Sequence, residues 1–141
     1  MRHRRAAQKL YDLLQPFEER VAVASSAISC SGAVASYLAG LAHALGNTET
    51  ALQHCAQAVA INDAIGAKFF AARIRLEGAQ MSFVGGGAGD PAQAGAWIAE
   101  AAQMIEELAM EGLRPLLVAV QEQSRAFGGV EDAPAELPDV A

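Results

Sequence analysis

Apolar residues recur at helical spacing along most of this chain, and glycines and prolines break the pattern at intervals. Leu10, Leu13, Leu14 and Phe17 define an opening helix from about His3 to Gln15, with Arg4, Arg5 and Asp12 on its other side. Pro16 is placed to stop or kink it. The stretch from Arg20 to Ser31 departs from the pattern. Val21, Val23, Ser25, Ser26, Ile28 and Ser29 are β-branched or hydroxylic and compete against helix. With no second strand in view to pair with it, the stretch reads as an extended connector that turns helical near Ser31 or Gly32.

From Ala33 to Leu45 the helical period returns, with Val34, Leu38, Leu41 and Leu45 as one stripe and Tyr37 beside it. A second stripe of Ser36, Ala39, Gly40 and His43 is nearly all small and lets a neighbour come close. Gly46 supplies a left-handed C-cap, and Asn47 or Thr48 starts the next helix after a very short turn. That helix, Glu49 to Ile65, turns Leu52, Cys55, Ala56, Val59 and Ile65 inward, and Gly66 ends it.

Ala67 to Val84 carries two apolar stripes, Phe69/Ala72/Leu76/Ala79/Phe83 and Phe70/Ile74/Met81/Val84, with Lys68, Arg75 and Ser82 marking the solvent side. A helix apolar on two sides is sandwiched between neighbours, and Gly78 in its middle permits close packing. After the glycine run Gly85 to Gly89, Asp90 is an N-cap with Pro91 at the first helical position. Ala94, Trp97, Ile98, Ala101, Met104, Ile105 and Leu108 then face inward to about Met110, and Gly112 ends the helix. Leu113 to Phe127 is the last helix, and Pro115 fits its first turn.

Two of these hairpins are cognate. Gly46-Asn47 and Gly89-Asp90 each precede a helix with small residues at matched offsets, Ala51 and Ala58 in one, Ala94 and Ala101 in the other. The separation of 43 residues exceeds the 34 or so of a standard tetratricopeptide repeat and lies nearer the longer two-helix repeats. The predicted class is therefore all-α: a right-handed α-solenoid of antiparallel hairpins, tetratricopeptide-like, with about six helices. One helical repeat domain should span residues 1–127. The end of the chain, residues 128–141, is acidic and Pro-containing, with little to bury, and reads as a disordered tail.

Composition sharpens this in two respects. The net charge of −6 is uneven, basic at Arg2, Arg4, Arg5 and Lys9 and acidic at Glu131, Asp132, Glu136 and Asp139. An acidic chain without a basic stripe is a poor wrapper of nucleic acid. No apolar run is long enough to span a membrane, and Gln8, Lys9 and Asp12 interrupt what a signal peptide would need. Two cysteines, Cys30 and Cys55, in no CxxC spacing, read as free thiols of a cytoplasmic protein.

Candidate chemistry is sparse. Gly85 to Gly89 follows a helix and has no Lys or Ser/Thr behind it, so it reads as a turn, not a phosphate cradle. His43, His54 and Cys55 approach one another across the hairpin, which raises a small-ligand or metal-binding bundle as an alternative. A metal wants further ligands, however, and adjacent residues diverge by about 100° around a helix. Glu106 and Glu107 diverge in the same way, and the serines lack a triad partner. No catalytic residue, metal or cofactor is assigned.

The residues Leu10 to Phe17, Tyr37 to Leu41, Gly46 to Ala58 and Asn62 to Ala67 resemble the tetratricopeptide-like region of large actinobacterial-type regulators. Those proteins pair an AAA/STAND-type ATPase with a LuxR-type DNA-binding domain, a transcriptional activation domain or a class III nucleotide cyclase domain. The resemblance covers Leu10 to Phe127. It lacks the phosphate loop, the helix-turn-helix reader and the cyclase carboxylate pair. What it implies is the repeat module of such a regulator: a non-catalytic protein-interaction or sensor unit in transcription or signalling. Its partner would be a protein or peptide, a regulator domain or another copy, with no direct nucleic acid or membrane. The polar residues expected in a groove between hairpins are Ser36, His43, Arg73, Arg75 and Glu77.

Overall fold

The computed structural model describes residues 2–24, 29–84 and 89–131. Six α-helices follow one another among them: α1 (Arg2–Leu14), α2 (Val34–Ala44), α3 (Thr48–Ala64), α4 (Lys68–Phe83), α5 (Pro91–Glu107) and α6 (Arg114–Glu131). The all-helical class is thus right, with one addition. Two short strands, β1 (Val21–Ala24) and β2 (Ser29–Ala33), pair antiparallel between α1 and α2. The expected lone connector was wrong, because the β-branched stretch folds back and supplies its own partner. Val21 pairs with Ala33 and Val23 with Cys30, with an irregularity between. Ser25, Ser26 and Ile28 lie outside the described residues.

The helices end by a shared device. Gly46 and Gly66 take φ of 86° and 71°, and the amide after each reaches back across the last turn: Asn47 to the Ala42 carbonyl, Ala67 to the Asn62 carbonyl. This double closure satisfies carbonyls that a helix end leaves open. At α5 the same bonds form, Met110 to Ile105, but the left-handed residue is Ala109 at φ 49°. Gly112, expected to stop that helix, instead lies within a 3-10 turn (Glu111–Leu113). At the other end of α5 the cap is as read: Asp90 accepts from the Ala92 amide at 3.0 Å, with Pro91 next. Pro16 sits in a 3-10 turn (Gln15–Phe17) that follows α1.

Consecutive helices pack on one another from α1 to α6, and α6 also reaches α4. Two apolar clusters result. Ala35, Ala39, Cys55, Ala58, Ile74 and Trp97 join α2 to α5. Leu76, Ala79, Ala94, Ile98, Ile105, Leu117 and Val120 join α4, α5 and α6. The four matched alanines, Ala51, Ala58, Ala94 and Ala101, are all fully buried. Gly78 marks a close approach of α4 to α5: a β-carbon there would lie 2.6 Å from Trp97 Cζ3.

Several facing assignments are corrected. Arg75 and Ser82, expected in solvent, are buried, each with hydrogen-bond partners. Ala56 and Ile65, expected inward, are exposed. Leu10 and Leu13 of α1 and Phe17 of the turn after it face outward, while Tyr11 and Leu14 are partly buried. The last helix passes Phe127 and runs to Glu131; the remainder of the acidic end, from Asp132, lies outside the described residues.

Candidate functional site

The hairpins α2/α3 and α4/α5 meet along a seam through α3 and α4. Each side of the seam carries a depression. On the first, Ser36 and Tyr37 of α2 face Phe70, Arg73, Ile74 and Glu77 of α4, and Ser31 of β2 forms the wall at one end, around a space of about 120 Å³. Positions 70, 73, 74 and 77 share one helix face by the 3.6-residue period. Tyr37 Oη donates to the Ser31 carbonyl at 3.0 Å, which ties the ribbon to α2. Arg73 Nε donates to Glu77 Oε1 at 2.7 Å, so the groove carries a cation and an anion that balance.

Three of the five expected groove residues, Ser36, Arg73 and Glu77, therefore come together. The other two do not. His43 sits on the last turn of α2, half-buried, its Nδ1 enclosed without a hydrogen-bond partner among the described residues. Arg75 points away from the groove. Its guanidinium binds Asp63 of α3 through two nitrogens (3.1 and 2.6 Å), Glu100 of α5 at 2.6 Å and the Ala71 carbonyl at 3.1 Å. Hydrogen bonding to Asp63 holds it above its usual range against the opposing effect of burial, with Glu100 adding to the hold. Arg75 is a clamp for three helices. Tyr37 and Phe70 are the groove residues that sequence reasoning missed. Phe70 was legible in principle, because it shares a face with Arg73 and Glu77.

Across the seam a second space of about 320 Å³ is floored by Leu52, Ala56 and Trp97, with Glu49, Gln53, Asp90 and Gln93 around it. The run Gly85 to Ala88 nearby lies outside the described residues.

The grouping of His43, His54 and Cys55 takes a different form from a ligand cluster. His54 is buried, and both its ring nitrogens have partners: Nε2 with Tyr11 Oη at 2.8 Å, Nδ1 with Gln57 Oε1 at 3.3 Å. Since the amide oxygen can only accept, Nδ1 carries the proton and Nε2 accepts from the tyrosine. Tyr11 is held above its ordinary pKa, mainly by burial and then by Glu18 and Asp12. Cys55 is fully buried, and burial, with Glu77, pushes its thiol up to about 12. It stays protonated and is no ready metal ligand. Among the described residues no group of three His, Cys, Asp or Glu side chains is placed to hold a metal ion.

Comparisons with protein-family models, curated proteins and solved structures return no match. Among the described residues no helix is long and apolar enough to cross a membrane.

Proposed function

We propose that this chain is a non-catalytic interaction module, a tetratricopeptide-like right-handed solenoid within the regulatory apparatus of a bacterial cytoplasm, and that it binds a peptide or partner domain in the groove between α2 and α4. The convergence of Ser36, Tyr37, Phe70, Arg73 and Glu77 from two successive hairpins carries this reading. The space suits one side chain of a ligand. Phe70 and Tyr37 offer apolar contact, and the Arg73–Glu77 pair offers a donor and an acceptor to an extended backbone. Tyr37 is engaged with Ser31 and Arg73 with Glu77, as suits a surface for contact more than for bond-making. Placement of these residues on helices backed by two cores favours a preformed site that loses little freedom on binding.

Site-directed photo-crosslinking tests it. A photoreactive amino acid at Ser36 or Arg73 should give one dominant adduct in cells, whereas the same group at Gln53 or Gln93, across the seam, should not. Adducts only from Gln53 and Gln93 would move the site to the α3/α5 side. Adducts from neither pair would remove the groove as a binding site.

A further inference from the structure

The cleft between α3 and α5 carries carboxylates at both ends, and a cation stands at only one of them. Positions 49, 52, 56 and 63 share one face of α3 by the helical period, and 93, 97 and 100 share one face of α5. At one end Asp63 of α3 and Glu100 of α5 close on the Arg75 guanidinium, each at 2.6 Å. At the other end Glu49 of α3 and Asp90, the cap of α5, border the space of about 320 Å³. Neither takes part in an ion pair among the described residues. Between them lies an apolar floor of Leu52, Ala56 and the edge of Trp97.

The walls hold no competing cation. Neither α3 nor α5 contains a Lys or an Arg, and the one imidazole of α3, His54, is bonded to Tyr11 and Gln57. Arg75 is taken up by its own two carboxylates. Residues 85–88, just before Gly89 at the rim, are Gly, Gly, Gly and Ala and bring no charged side chain. The first turns of α3 and α5 each add about half a positive charge, against two full negative ones, so the net potential stays negative.

We infer that this cavity binds a small organic cation, an amine or guanidinium carried on a short apolar body. The body rests on Leu52, Ala56 and Trp97, and the head is held between Glu49 and Asp90 as Arg75 is held between Asp63 and Glu100. Ligand pockets run from about 300 to 1,000 Å³, so a space of about 320 Å³ suits a small molecule. The site stands apart from the groove between α2 and α4, which lies on the other side of the seam.

Trp97 is the chain's single tryptophan, so its fluorescence reports from the cavity floor. Phenethylamine at millimolar concentration should change that emission saturably, with calorimetry giving the same affinity. Phenethyl alcohol, the same body without the charge, should bind severalfold more weakly, and hydrocinnamate not at all. Trilysine, cationic without the apolar body, should also bind more weakly than the amine. Glu49→Gln and Asp90→Asn should each weaken the amine severalfold, the scale of one solvent-exposed ion pair, and leave the alcohol unchanged. Both keep the fold, since position 49 is exposed and asparagine still caps a helix. Ala56→Phe fills the space and should abolish binding of amine and alcohol alike, whereas Arg73→Ala, across the seam, should change nothing. The inference is overturned if calorimetry shows no binding of the amine, if amine and alcohol bind equally, or if the Glu49→Gln/Asp90→Asn double variant binds the amine as the wild type does. Trilysine binding more tightly than the amine also overturns it, and would make the cleft a seat for a basic peptide.

Discussion

At Gly78 a β-carbon would meet Trp97 Cζ3 at 2.6 Å and the β-carbon of Cys55 at 3.3 Å, so α3, α4 and α5 close on one point that holds no side chain. Gly78→Ala sets two effects against each other. Helix propensity gains about 1 kcal/mol, while overpacking in a close-packed core costs about 1–3 kcal/mol and forces the indole aside. The core effect should win, and chemical denaturation should show a lowered midpoint with an unchanged slope. Cys55, in the same place, gives a pH test. Its thiol titrates near the ordinary 9.0 when the chain is unfolded and near 12 when folded. The unfolded chain therefore loses the proton first, and stability should fall as pH rises from 9 towards 12, by up to about 1.4 kcal/mol per pH unit for this one group. Below pH 9 the contribution is constant. In the folded protein at pH 8 a thiol reagent should label exposed Cys30 and spare Cys55.

Arg75 belongs to the scale of helices. Periodicity places a charged residue on the wet side of α4, and that reasoning failed because the partners, Asp63 and Glu100, come from α3 and α5. No spacing within one helix discloses such a clamp. Arg75→Ala should destabilise by about 2 kcal/mol, less than a fully buried pair, since both carboxylates keep contact with water. Arg75→Met retains the apolar stem and should recover part of that loss; thermal unfolding of both variants decides. The matched alanines and the Asp90 cap were legible, because a small residue at a helix crossing and a capping side chain act through local geometry. Ala109 was not, since a left-handed alanine leaves no mark in a sequence. The β-ribbon was missed because both of its strands lie within one short stretch that was read as a single segment.

For the whole molecule, helix count, order and turn positions followed from period and punctuation, which are one-dimensional. Which face of each helix meets which neighbour did not follow, as the opening stripe illustrates: Leu10 and Leu13 of α1, and Phe17 in the turn after it, carry the spacing of a core and face solvent. The groove between α2 and α4 was half legible. Ser36, Arg73 and Glu77 were named from polarity, but His43 and Arg75 share that polarity and serve other places in the fold. Direction around a helix separates them, and it is fixed only once the stack is assembled.

The small ribbon between α1 and α2 has a consequence for that groove. Gly32, at φ 83°, lies so close to Phe70 that a β-carbon would come within 2.9 Å of its ring, and the Ala33 amide is held by Asn62 at 3.0 Å. Ser31, one residue back, forms the groove's end wall. The ribbon thus packs against α2, α3 and α4 at the end of the groove. At its last described pair, Ala24 and Ser29, the ribbon is exposed to solvent. A substitution in this ribbon, such as one at Gly32, would therefore reach the groove through Phe70 without altering a residue of any helix.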